Sequence, residues 1–148
     1  MSSIKKLAIE ATGEFEVRDA AGNLVEENGK AWTITVHSPG TKAFQKAKHT
    51  FDQARSNSLT AMMTGKGDSK RTADDEVKEV AEFLAGVTVS LNNFDYEGGK
   101  GYEAIKAMYM DLEIGHVAND LNKFLGDRGN FLKAKPITSS NTSDNQPG

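Results

Sequence analysis

Apolar and polar positions along this chain change their spacing near residue 40, and the change separates two kinds of element. Before that point they alternate. Phe15 and Val17 alternate with Glu14, Glu16 and Arg18, and Trp32, Ile34 and Val36 alternate with Thr33, Thr35 and His37. A period of two buries one face of a strand, and the second run is rich in the β-branched and aromatic types that suit a pleated surface. Ala21-Gly22-Asn23 turns the chain between the runs, and Asn28-Gly29 is a tight-turn pair because both residues tolerate positive φ. Leu24 to Glu26 then forms a short strand paired across that second turn, with Leu7 and Ile9 as an added edge. This region predicts an antiparallel hairpin or three-stranded meander.

From Thr41 the spacing becomes helical. Ser38-Pro39-Gly40-Thr41 ends the strands and offers two N-caps, Ser38 and Thr41. Phe44, Ala47, Phe51, Ala54, Leu59, Met62 and Met63 fall largely on one face of a long helix, which Gly65-Lys66-Gly67-Asp68-Ser69 interrupts. Thr72 and Asp75 have the spacing of a capping box, and Val77, Val80, Leu84, Val87 and Leu91 give the next helix a core-facing stripe. Asn92 to Gly101 breaks the pattern, with Phe94 and Tyr96 plugging the loop onto the core. Tyr102 to Leu112 resumes as a helix with Ile105, Met108 and Leu112 inward. Ile114, Val117, Leu121, Phe124 and Leu125 carry a last helix, set off at Gly115. After Leu132 the chain reads KAKPITSSNTSDNQPG, too polar to offset its ordering entropy by burial, and predicts a disordered tail. The expected class is α+β: one domain over 1–132, with a β region at 1–40, about four bundled helices at 41–132, and the tail at 133–148.

Length and charge add detail. At 148 residues the chain is of single-core size. The net charge of -3 is unevenly spread: Thr41 to Arg71 holds seven Lys or Arg against two Asp, whereas Thr72 to Phe131 holds twelve acids against five bases. The two segments are expected to pair with each other in the fold, the alternative being that each faces a partner. Without cysteine there is neither a disulfide nor a thiolate metal site. The start, MSSIKKLAIEATGEF, lacks the apolar run of a signal peptide, and no stretch approaches the roughly 20 apolar residues of a membrane span.

Candidate chemistry is sparse. His37, His49 and His116 lie on different expected elements without metal-ligand spacing. Asn93, Asp95, Glu97 and Gly98 imitate the opening of a calcium loop, but its twelfth position is Ala104 where a bidentate Glu is needed. Gly65-Lys66-Gly67 and Gly98-Gly99-Lys100-Gly101 do not match a phosphate loop. Asp74 and Asp75 suit a helix N-terminus. Catalytic, metal and cofactor sites are therefore not expected. Lys42, Lys46, Lys48 and Arg55, extended by Lys66, Lys70 and Arg71, form a basic face that could track nucleic-acid phosphates. Their aromatic neighbours belong to the apolar stripe and are not interleaved for base stacking, so a solvated face, or one docked against an acidic protein, is the better reading. Methionine adapts to irregular partner surfaces, which adds Met62 and Met110 to the candidate partner-binding set.

The order of parts, a small β region, a long helix, FLAGVTVSLNNFDYEGGKG and a terminal IGHVANDLNKFLGDRGNFL, resembles the tail assembly chaperones, or minor tail proteins, of long-tailed bacteriophages and prophages. The matching residues are Leu84, Ala85, Thr88, Val89, Asn93, Phe94, Glu97 and Gly98, then Phe124, Asp127, Arg128, Asn130 and Phe131; the resemblance spans about residues 10–132. It implies a non-catalytic protein of the host bacterial cytoplasm that binds the tape-measure protein, and in some cases the tail-tube protein or further copies of itself, and is absent from the finished virion. It also implies a longer frameshifted product, whose junction would fall in the tail from Lys133. The competing expectations are a structural tail or head-completion protein of the virion and a small nucleic-acid-binding regulator.

Overall fold

Three antiparallel strands form the main sheet, in the order β1 (Thr12–Glu16), β4 (Thr33–His37), β5 (Thr88–Asn92). These come from a computed structural model that describes residues 3–64 and 72–132; the connector at 65–71 and the expected tail from 133 lie outside the described residues. A second, two-stranded ribbon pairs β2 (Glu26–Glu27) with β3 (Lys30–Ala31). The helices are α1 (Lys42–Thr64), α2 (Ala73–Val87), α3 (Tyr102–Met110) and α4 (Gly115–Leu125). The α+β class, with a small antiparallel sheet followed by four main helices, is as the sequence predicts.

Alternation decides the sheet's two faces. Phe15, Ile34 and Leu91 stand in register across the three strands and are buried, as are Gly13 and Val36 in the next row. The opposite face is polar and cross-linked. Thr35 Oγ1 donates to Glu14 Oε2 at 2.7 Å, Asn92 Nδ2 donates to Thr33 Oγ1 and Thr35 Oγ1 at 3.0 and 2.9 Å, and Ser90 Oγ donates to Asn92 Oδ1 at 2.9 Å. One face thus joins the helices in a single hydrophobic core while the other needs no cover. That core runs from Phe15 and Val17 through Leu84, Ile105 and Leu121 to Phe131.

Turns and caps follow the local chemistry. Asn28 and Gly29 adopt positive φ, 55° and 76°, and close β2 onto β3. Gly22 turns at φ 90°, while Asp19 Oδ1 accepts from the amides of Ala21 and Asn23. Thr41 caps α1, its Oγ1 accepting from the Phe44 amide at 3.2 Å. Thr72 and Asp75 exchange both bonds of the capping box at 3.1 Å. The α1–α2 hairpin closes on aromatic rings: Phe83 meets Phe44 edge-on at 5.6 Å and Phe51 at 5.5 Å.

Three expectations are corrected. The α2 stripe was expected to continue through Leu91, but the helix stops at Val87 and Thr88–Asn92 becomes β5. Strand β4 would otherwise leave a row of backbone groups unpaired on that side, and pairing satisfies them. Leu112, expected inward, is 77% exposed, while Tyr109 is buried. Asp111 is the cause: its Oδ1 accepts from the Glu113 amide at 3.0 Å and its Oδ2 from the Tyr96 hydroxyl at 2.9 Å, so the side chain ends α3 at Met110, two residues early. Finally, Leu7 belongs to a 3-10 turn, Ile4–Leu7, and is exposed, so it adds no edge strand.

The junction between α2 and β5 carries a buried hydroxyl pair. Thr88 Oγ1 donates to the Leu84 carbonyl at 2.7 Å, which leaves the Tyr109 hydroxyl, 2.8 Å away, as donor to Thr88 Oγ1. Burial pushes the Tyr109 phenol well above its ordinary value, against a smaller opposing effect of the Thr88 bond. Tyr109→Phe leaves Thr88 satisfied and is expected to cost about 1 kcal/mol, whereas Thr88→Val strands a buried phenol and is expected to cost about 2–3 kcal/mol. A raised phenol contributes stability that is complete below the unfolded-state value of about 10 and is lost as pH rises through the folded-state value. Denaturation midpoints measured from about pH 8 to 11 reach the onset of that loss, and above about pH 10 they should fall more steeply in the wild type than in Tyr109→Phe.

Candidate partner-binding surface

Helix α1 has 23 residues and α2 has 15, so α1 is the longer of the pair by about 12 Å at 1.5 Å per residue. Among the described residues the apolar stripe is covered in its first half. Phe44 is buried and Phe51 half-buried, but Leu59 is 58% and Met63 79% exposed. On either side of the Phe51–Phe83 contact the surface dips into a groove. One, of about 230 Å³, is lined by Phe44, Val80 and Leu125 with Lys48 on its border. The other, of about 330 Å³, lies among Ala47, Ala54, Gly86 and Tyr102.

The expected basic residues occupy this same helix. Lys42 and Lys46 are exposed and make no ion pair among the described residues. Lys48 pairs within the helix with Asp52 at 3.3 Å, and Arg55 lies over the Phe51 ring, 5.5 Å from its centroid. Pairing between the basic and acidic segments is the expectation, and its Lys66, Lys70 and Arg71 fall outside the described residues; one bridge from α2 among the described residues runs to α3, Lys106 with Glu82 at 3.3 Å. One turn of helix is enough to satisfy Lys48 locally, so no long-range partner is needed. The side chain of Met62 and residues Lys66, Lys70 and Arg71 lie outside the described residues. Met110 is exposed at the far end of α3 from Tyr102, so it does not join the α1 set.

The histidines have separate surroundings. His37 ends β4, His49 is exposed on α1, and His116 Nε2 lies 2.9 Å from the Arg18 carbonyl. Among the described residues no group of three His, Asp or Glu is placed to hold a metal, and no helix is long and apolar enough to cross a membrane.

A second cavity, of about 390 Å³, was not anticipated. Its wall is Trp32, stacked at 5.0 Å and 14° on Phe94; Val17, Val25, Ile114 and Val117 line the interior. Trp32 Nε1 is buried without a hydrogen-bond partner among the described residues. The loop that carries Phe94 is built for this. Asn93, Glu97 and Gly98 all take positive φ, Tyr96 and Gly99 exchange backbone bonds at 3.0 and 2.9 Å, and Asp95 Oδ1 accepts from the Gly98 amide at 2.9 Å. Asp95 is thus a turn residue, which is the structural use of the calcium-like spacing. The signal available in the sequence was the pair Trp32 and Phe94, but their stacking depends on a contact across 62 residues, made also by Asn93 Nδ2 to the Ala31 carbonyl at 2.8 Å.

The residues that carry the family resemblance sit at joints of the fold. Leu84 and Ala85 are core, Thr88 holds Tyr109, and Asn93 and Phe94 pin the loop. Asp127 Oδ1 accepts from the Gly129 amide, Asn130 Nδ2 donates to the Phe124 carbonyl, and Phe131 is buried. No family model matches the chain, no curated protein matches it, and no solved structure matches it.

Proposed function

We propose that this chain is a non-catalytic binding module that accompanies a tape-measure protein during assembly of a bacteriophage tail in the host cytoplasm. The observation that carries the reading is the outer half of α1, where Leu59 and Met63 extend the apolar stripe and are exposed among the described residues. A tape-measure protein is a long helix whose apolar stripes aggregate when exposed. Short apolar faces on many copies of a small protein cover such stripes by helix-in-groove contact. Exposed Lys42 and Lys46 on the same helix add attraction to acidic stretches of that partner. The resemblance of residues 84–98 and 124–131 to tail assembly chaperones supports the same role.

Co-expression with the tape-measure protein of the same phage tests it. A co-purifying complex and a gain in tape-measure solubility are expected. Leu59→Ser with Met63→Ser should lower recovery of that complex by roughly tenfold, the scale of removing one or two anchors, with the unfolding midpoint unchanged. No complex and no gain in solubility would sink the proposal. Mass spectrometry of purified virions should find the chain missing, and its stoichiometric presence would indicate a structural component.

A further inference from the structure

The cavity behind the Trp32–Phe94 stack lies away from α1, and its border is acidic. Asp19, Asp95 and Glu113 stand at it, with Arg18 and His116 as the only basic types among its lining residues. Each acid has spare capacity. Asp19 and Asp95 use Oδ1 for turn amides, which fixes the carboxylate in place and leaves Oδ2 without a bond among the described residues. The Glu113 carboxylate makes no hydrogen bond or ion pair among the described residues. Arg18 is tied elsewhere: its guanidinium donates to the Gly22 carbonyl at 2.9 Å and lies 3.6 Å from Glu16. The imidazole of His116 is held against the Arg18 carbonyl.

An apolar slot walled by an indole and edged by carboxylates has a definite complement: a side chain with a long apolar stem and a cationic head. The stem replaces water along Val17 and Val117, and the head stays at the border. Guanidinium suits the place better than ammonium, because it stacks on an aromatic face and forks onto a carboxylate in the same pose. We infer that this cavity receives an arginine side chain presented by a partner polypeptide. The inference holds with or without a role in tail assembly, since it rests on the cavity's charge and lining alone.

Trp32 is the chain's only tryptophan, so its emission reports this cavity together with the adjoining hollow lined by Glu27, Asn93 and Lys100, and Glu113, which lines only the cavity, tells the two apart. The full 148-residue chain is titrated with a blocked pentapeptide, acetyl-Ala-Leu-Arg-Leu-Ala-amide, and with versions carrying Lys, Gln or Glu at the centre. A saturable change in Trp32 emission is expected with the Arg peptide. Affinity should fall by about tenfold for Gln, and the Glu peptide should show no saturation, as loss of a charge-assisted bond implies. Asp95→Asn with Glu113→Gln keeps the Asp95 turn bond and should raise the Kd of the Arg peptide about tenfold while the thermal midpoint holds. Glu113→Gln alone, at an exposed position, gives a second reading should the pair fold poorly. Equal responses to Arg and Glu peptides, no saturable response to Arg, or an unchanged Kd in folded charge variants would each overturn the assignment. Free arginine amide binding as tightly as the peptide would overturn a polypeptide as the occupant.

Discussion

Replacing Phe131 with alanine is expected to destabilise the protein by about 3–5 kcal/mol, which corresponds to a fall in Tm of about 10–20 °C. Phe131 is 1% exposed and ends a run of three edge-to-face rings, Phe15 on Phe124 at 5.4 Å and Phe124 on Phe131 at 5.5 Å. Its backbone closes the same corner, because the Phe131 carbonyl accepts from the Glu10 amide at 2.7 Å. The ring also explains a glycine. A Cβ added at Gly13 would lie 2.5 and 2.8 Å from two ring carbons of Phe131, closer than such atoms come. Gly13→Ala should therefore cost about 1–3 kcal/mol by overpacking. The combination Gly13→Ala with Phe131→Leu should be less destabilised than the sum of its parts by roughly 1 kcal/mol or more, because the smaller leucine frees space that the added methyl fills. Urea denaturation of the four proteins measures this. An unperturbed Gly13→Ala, or strict additivity, would refute the contact.

The residues involved show which parts of the fold were legible in the sequence. Asn28-Gly29, Thr72 with Asp75, and the Phe15 and Ile34 alternations act within a few residues, and each does in the structure what its spacing predicts. Gly13 looked like an ordinary glycine because its constraint comes from a ring 118 positions along the chain. The strand at Thr88–Asn92 was hidden for a related reason. Val87 and Leu91 keep helical spacing with Leu84, and only the vacancy beside β4 converts that spacing into an edge strand. In the same way Leu59 and Met63 carry the helical phase of buried residues, yet no element among the described residues covers them, so period alone does not tell core from surface there. The Trp32–Phe94 cavity was the least legible part. Asp19 and Asp95 each hold a local turn, and their place at the border of one cavity depends on segments far apart in the chain meeting.

Ile34→Ala is the other change expected to be severe, at about 2–5 kcal/mol. Ile34 is fully buried on the central strand, between Phe15 and Leu91 in register, so the side chain lost there has neighbours on both sides as well as above. A cavity in that position cannot collapse easily: β4 is held by backbone pairing to β1 and β5, and the polar face behind it is cross-linked through Asn92 to Thr33 and Thr35. Rigidity on both counts places the cost toward the upper part of the range, since relaxation is what lowers it. The neighbouring residue supplies the control. Thr35→Val faces the polar side and loses the bond to Glu14 and the acceptor for Asn92, with no core volume removed, so it should cost about 1 kcal/mol. If the two substitutions cost the same in urea denaturation, the assignment of the sheet's faces is wrong. If Ile34→Ala also lowers the m-value, the sheet rather than the helices sets the cooperativity of unfolding.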